Sequence, residues 1–353
     1  MTTDLTTSVQ TETERPVEPG PRRHGPLSFR RSSAAYILVV LLVVFSIVTP
    51  ETFLTSSTWS SLIDTQALTA LAAIGLLIPV AAGAFDLAVA AQVGFGTILV
   101  SWLLMHAGMP PWIAVPVTIA IGAALGLASG IAITIFRIDS FIATLGMSSV
   151  AAALTSWLSD GSQILNLPIG FASFATQKFL GLTNSVWIML LVAVVVWYVL
   201  EKTPVGRRIY ATGGNATAAR LAGVRTSLVL VGSLVACGAI TALVGVLLAS
   251  RLGTGDPTIG GSYLLPAFSA VFLGSTQFKF GRFNVWGTVV AVYVLAVGVT
   301  GLQLAGAPFW IPGLFNGIAL LLAVGLASTA GAGGPAGLRR LLNGVRRGRG
   351  GSD

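Results

Sequence analysis

The chain alternates long apolar runs with short polar connections. After a polar stretch over residues 1–33, rich in Thr, Glu, Pro and Arg, the first apolar run covers 34–48 and stops at Thr49-Pro50. Further runs follow at about 62–82, 87–107, 112–136, 141–158, 186–200, 228–249, 263–274, 285–303 and 311–327. Each approaches the ~20 residues with which a helix crosses the hydrocarbon core of a bilayer. The pattern predicts an all-α membrane protein of about ten transmembrane helices over 34–327, followed by a basic tail over 328–353. Residues 1–33 show no apolar periodicity and read as a disordered tail, acidic first and then basic (Arg22, Arg23, Arg30, Arg31). The first apolar run begins too late for a secretory leader, and no small-residue cleavage site follows it, so it reads as the first span. Some runs are interrupted, as in Pro79-Val-Ala-Ala-Gly83 and Tyr263-Leu-Leu-Pro266. Such breaks are tolerated where the backbone is buried in protein or lines a cavity.

Composition removes the soluble alternatives. Only 9% of the residues are charged and 54% are hydrophobic, with a mean hydropathy of +0.86; a soluble domain carries about 25% charge. The 42 glycines suit close approach of helices in lipid. One cysteine, Cys237, excludes an internal disulfide, and His24 and His106 have no metal-ligand spacing, so no metal site is expected. A net charge of +8 raises the question of nucleic acid. Placing both termini in the cytoplasm puts eighteen of the twenty Lys and Arg on that side and leaves only Lys178 and Arg251 outside. The positive-inside bias thus accounts for the charge and fixes the expected orientation, with no nucleic-acid partner. The C-terminal Arg339, Arg340, Arg346, Arg347 and Arg349 read as topology and headgroup anchors.

Two features hint at internal architecture. Gly83-Ala-Phe-Asp86 and Gly253-Thr-Gly-Asp256 each follow an apolar span, and the second and seventh spans run in opposite directions. That echo suggests an inverted repeat of helices 2–5 and 7–10. The non-cytoplasmic segment 159–185 is long and nearly uncharged; it reads either as a partner-docking loop or as a short amphipathic helix at the interface.

The chemistry-bearing stretch is the cytoplasmic loop 203–226. Gly213-Gly214 reads as a flexible turn, Asn215 as an N-cap, Ala216 to Leu221 as a short small-residue helix and Gly223 as its C-cap. These residues by themselves fit either a helix inserted into a groove of another protein or an ordinary connecting loop. The stretch Gly-Gly-Asn-x-x-Ala-Ala-Arg-Leu-x-Gly from Gly213 to Gly223 resembles the EAA-type coupling loop of ABC importer permeases, in the form found in the ribose/xylose/arabinose-type monosaccharide permease family. Three further stretches are similar to that family's segments, in the same order: Gly83-Ala-Phe-Asp-Leu-Ala-Val89, Ser140-Phe-Ile-Ala-Thr-Leu-Gly-Met147, and Leu273-Gly-Ser-Thr276 followed by Gly281-Arg-Phe-Asn-Val-Trp-Gly-Thr288. The resemblance runs from about residue 60 to 327. Departures are Ala82 and Ala84 around Gly83, Ala88 for a usual Ser, Asp139 for a usual Pro, and Pro266 where an acidic run is common.

The resemblance implies a permease subunit in the bacterial cytoplasmic membrane, paired with a second permease copy or homologue. It implies a cytoplasmic ABC ATPase that grips Gly213, Gly214, Asn215, Ala218, Ala219, Arg220, Leu221 and Gly223, and an extracellular or periplasmic sugar-binding protein that delivers solute. This chain has no Gly-x-x-x-x-Gly-Lys-Ser/Thr loop and no catalytic triad pattern, so ATP-Mg is expected on the partner subunit and no catalytic residue here. Candidates for the translocation path are Gln66, Asp86, Thr144 and Asp256. Asp86 reads either as a path residue accepting sugar hydroxyls or as a cap of the third span. Rival functions are a permease for branched-chain amino acids or nucleosides, against which the Gly-Gly-Asn form weighs, and an ion-coupled carrier using Asp86.

Overall fold

The computed structural model describes residues 33–277 and 281–331. Most of the two expected tails, and Lys279, lie outside the described residues. In chain order the helices are α1 (Ser33–Val48), α2 (Pro50–Phe53), α3 (Ser56–Ala81), α4 (Val89–Met105), α5 (Pro111–Thr134), α6 (Ser140–Ser159), α7 (Ile169–Ala172), α8 (Asn184–Lys202), α9 (Pro204–Gly214), α10 (Ala216–Leu221), α11 (Thr226–Leu252), α12 (Leu264–Ser275), α13 (Val285–Leu304) and α14 (Ile311–Gly331). A 3-10 turn spans Ile259–Tyr263, and one antiparallel pair, β1 (Lys178–Phe179) with β2 (Leu182–Thr183), is the only sheet among the described residues.

Every predicted apolar run is a helix. Among the described residues six helices (α3, α5, α6, α8, α11 and α13) are long and apolar enough to cross a membrane, and shorter apolar stretches cover Leu38–Val48, Val89–Met105, Ile259–Ser275 and Ile311–Gly325. α3 begins at Ser56, earlier than its apolar run, because Thr55 accepts the Thr58 N–H and starts the helix in polar sequence. α3 continues through Pro79 and breaks only after Ala81, where Gly83 adopts φ +88°. Pro266 sits in the first turn of α12, where its missing N–H has no intrahelical partner to lose.

α3 and α11 form the centre. From Ala67 to Ala81 every residue of α3 is buried. α11 packs on α5, α4 and α3, while α3 packs on α13, α12 and α8. The α5–α11 seam is narrow because both faces carry glycine: a Cβ at Gly122 would stand 2.6 Å from Gly238 O, and one at Gly126 would stand 2.2 Å from Leu234 O. In lipid the apolar tails give no hydrophobic gain from helix association, so this close backbone packing supplies the attraction. α1 seats Phe45 in the notch left by Gly301 of α13 and turns Val39, Val40, Val43 and Ile47 outward.

The segment 159–185 contains one short helix, α7, and is otherwise irregular apart from the β1–β2 pair. It folds onto the end of α11: the Ser250 hydroxyl donates to Phe171 O and accepts from Ala175 N–H (3.0 Å), and Ile164 pairs with Gly255. Ile164, Leu167, Phe171 and Ala175 are buried there, and the Gly and Pro in the stretch limit α7 to one turn.

Candidate functional site

The predicted site residues fall in three places. The first is the end of the molecule that carries Arg207, Arg208, Arg220, Arg225 and Arg282. Pro204 opens α9 at a position that needs no N–H. Gly213 and Gly214 are not a turn: both are the last residues of α9. Gly213 instead permits contact, lying so close to the end of α3 that an added Cβ would be 2.2 Å from Ala81 O; Gly214 has open space. Asn215 does cap α10, its Oδ1 accepting the Ala218 N–H at 2.9 Å. Gly223 follows the helix at φ +83°, and the Val224 N–H returns to Ala219 O (2.9 Å), closing the C-terminus.

Ala219 is buried against its own chain, so it holds α10 in place. Ala218, Arg220, Gly223 and Leu221 face outward, and Leu221 is 87% exposed. The base of this unit is fixed by Tyr210, whose hydroxyl donates to Phe283 O (2.7 Å) under the Arg282 guanidinium, 3.9 Å from the ring centre. Burial pushes the Tyr210 phenol above its usual value, with Arg282 opposing, which keeps it a hydrogen-bond donor.

The second place is the turn between α3 and α4. The Asp86 carboxylate is fully buried; Oδ1 accepts the Ala88 N–H (3.0 Å), and Oδ2 has no hydrogen-bond partner among the described residues and lies by Cys237. Asp86 therefore caps the turn into α4. Thr144 clamps the same turn to α6: its hydroxyl accepts from Leu87 N–H (3.1 Å) and also lies in bonding range of Phe85 O (3.2 Å) and Ser140 O (2.8 Å). Neither lines the cleft beside Gln66 or the groove between α8 and α11. Asp139, the departure before Ser140, accepts the Phe141 N–H (2.9 Å) and starts α6.

Asp256 lies at the opposite end. Its Oδ1 accepts from Thr258 N–H and hydroxyl (2.8 Å each), and Oδ2 from Gln163 Nε2 (2.9 Å). The stretch after α11 then runs back along α4: a Cβ at Gly255 would meet Ser101 Oγ at 2.6 Å and one at Gly260 would meet Ala90 O at 2.1 Å. Both halves of the Gly…Asp echo share a geometry. Gly83 and Gly253 take positive φ after a long helix, and each aspartate accepts the N–H two residues on.

Gln66 opens onto something the linear pattern did not reveal. A cleft of about 200 Å³ lies among Thr65, Gln66 and Thr69 of α3, Ser262 and Tyr263, Pro266, Asn316 of α14, and the aliphatic wall Val292, Leu295, Ala296 and Val299 of α13. The side-chain amides of Gln66 and Asn316 and the Tyr263 hydroxyl make no hydrogen bond among the described residues. No charged side chain lines the cleft. Beside it, Arg251 binds Asp64 (3.1 Å) and the Thr65 hydroxyl (2.9 Å), and Asp64 also accepts from the Thr183 hydroxyl. The lining thus combines free neutral donors and acceptors with an apolar face supplied by α13. Thr69, Ser262, Tyr263 and Asn316 were missed from sequence; the broken segment ending at Pro266 was the one signal pointing to them.

Several known proteins are similar to this chain. Residues 59–324 match the family described as branched-chain amino acid transport system, permease component. The ribose import permease protein RbsC of Bacillus subtilis is 36% identical over 289 residues, covering 81% of this chain and 89% of the relative. The RbsC of Escherichia coli K12 is 30% identical, covering 81% and 90%. The L-arabinose ABC transporter permease protein AraH of Azospirillum brasilense is 31% identical, covering 83% and 86%. No solved structure matches. With three quarters of its length inside one family match and relatives aligned almost end to end, the chain belongs to the permease-component family of these transport systems.

Proposed function

We propose that this chain is the membrane-spanning subunit of an ATP-driven ABC importer for a monosaccharide, crossing the bacterial cytoplasmic membrane about ten times with both termini cytoplasmic. The observation that carries the solute class is the cleft beside Gln66. Neutral amides and a phenol in its lining suit sugar hydroxyls, and the α13 face suits the C–H face of a ring. A branched-chain amino acid is a zwitterion, and no charged side chain lines the cleft to meet its carboxylate or its ammonium group. The nearest charges, Arg251 and Asp64, already neutralise each other. The names of the relatives, for ribose and L-arabinose, support the same reading.

Coupling follows from α9 and α10. A cytoplasmic ABC ATPase, which binds ATP-Mg, docks on the exposed Leu221, Arg220 and Ala218; α9 transmits its movement to α3 through the Gly213 contact. α3 carries Gln66 in its first half and meets Gly213 at its C-terminal end, so the ATPase acts on the cleft along one continuous helix. Nucleotide drives the switch by binding one state of the pair more tightly. An extracellular or periplasmic binding protein delivers the sugar over the folded 159–185 segment, and a second permease copy or homologue completes the pathway. The inverted repeat fits this scheme. Within α3–α6 and within α11–α14 the second helix packs on the third and fourth, and each leading helix, α3 or α11, packs on the other set.

The test is uptake by proteoliposomes holding the permease, its co-purified ATPase and the binding protein. Gln66→Leu and Asn316→Leu each remove a hydrogen bond of about 1 kcal/mol, raising half-saturation about five- to tenfold. Uptake of leucine instead of a pentose or hexose, or proton-driven uptake without the ATPase, sinks the proposal.

A further inference from the structure

A wide groove opens on the outer side of the molecule between α8 and α11, with Ile78 of α3 as its floor, and encloses about 1160 Å³. Its walls, from Leu191 to Leu200 on α8 and from Leu228 to Ile240 on α11, are aliphatic apart from Ser233. The α11 wall is about 18 Å long at 1.5 Å per residue, the length scale of an acyl chain in one leaflet. Several of these side chains are exposed, including Leu191, Val195 and Leu228.

The groove is asymmetric. Its end at α9 and the 222–225 turn is closed by Arg208 and Arg225, both exposed and neither in an ion pair or side-chain hydrogen bond among the described residues. No acidic residue lines it. A long apolar trough ending in two unneutralised guanidiniums is complementary to one kind of molecule: apolar tails joined to a single anionic head. Two copies of this chain docking here would have to bury those arginines without a counter-charge.

We propose that this groove binds an anionic diacyl phospholipid, its phosphate held between Arg208 and Arg225 and its acyl chains lying along α8 and α11. Both arginines flank α10, so the lipid would brace the α9–α10 unit against the membrane.

The full-length protein, purified and delipidated in neutral detergent, is titrated with phosphatidylglycerol or phosphatidylcholine of identical acyl chains, and bound lipid is counted by native mass spectrometry. Phosphatidylglycerol is expected to bind at least tenfold more tightly. The double variant R208Q/R225Q loses that preference, and R208K/R225K retains most of it. Gly232→Leu fills the groove at a position where a Cβ meets nothing within 4 Å; it abolishes binding of both lipids with an unchanged Tm. Equal affinity for the two lipids in the unaltered protein, or an unaltered preference in R208Q/R225Q, overturns the proposal. So does glycerol phosphate alone matching the whole lipid, or a lipid-free dimer that Gly232→Leu dissociates.

Discussion

Gly213→Ala tests the mechanical link most directly. A Cβ at this position would stand 2.2 Å from Ala81 O, 3.0 Å from Ala81 C and 3.1 Å from Ala82 C. Carbon–oxygen contacts settle at about 3.3–3.6 Å, so α9 and the end of α3 must separate by roughly 1 Å. Both sides are backbone, so no side chain can rotate to absorb the methyl group. Overpacking of this kind costs about 1–3 kcal/mol. The substitution does not touch the exposed face of α10, where Leu221 projects. The ATPase subunit should therefore still co-purify and hydrolyse ATP, while sugar uptake in proteoliposomes falls at least tenfold. Gly214→Ala is the matched control, since a Cβ there meets nothing within 4 Å, and it should transport normally. Neither glycine has a positive φ, so backbone strain does not distinguish them. Equal transport by the two variants would refute the idea that the α9–α3 contact carries the stroke.

Other consequences are open to measurement. Gly126→Ala forces a Cβ to 2.2 Å from Leu234 O across the α5–α11 seam; Tm in detergent should fall by several degrees, whereas Gly146→Ala, facing open space, should leave it unchanged. Asn215→Ala removes the bond to the Ala218 N–H, costing about 0.5–2 kcal/mol, read as faster hydrogen exchange across residues 216–221 with little change in global Tm. The Asp64→Ala/Arg251→Ala double variant should destabilise less than the sum of the two single variants, with a coupling energy of about 1 kcal/mol in a double-mutant cycle, because the pair is partly screened by solvent.

Much of the local structure was legible because transfer of apolar side chains to lipid depends on each residue's own chemistry. The helix at 285–303 was expected and spans Val285–Leu304. Asn215 and Gly223 could be read as cap and stop because capping acts over three or four residues. Gly213-Gly214 misled for a related reason: two glycines permit a turn, but they also permit backbone contact, and only the position of α3 decides which use is made. Asp86 was recognisable as a costly buried charge, and its bond to the Ala88 N–H is local, but its burial beside Cys237 depended on where α11 came to lie.

Sequence alone determined that the chain is a bundle of apolar helices, where most of them begin and end, and that a small capped helix projects between the spans at 186–200 and 228–249. Those properties arise from interactions within one turn of helix, or between one residue and its solvent. Tertiary structure decided the rest. Hydropathy is the same on α5 and α13, which differ widely in burial, and lower on the central α3 than on either, so it could not say which helices would be central. It could not bring Gln66, Tyr263 and Asn316 to one cleft either, because their meeting depends on how three helices pack. Nothing in the local pattern records that packing: in an apolar solvent the interior and the lipid face favour the same side chains, and the contacts that separate them are made by backbones meeting at glycine.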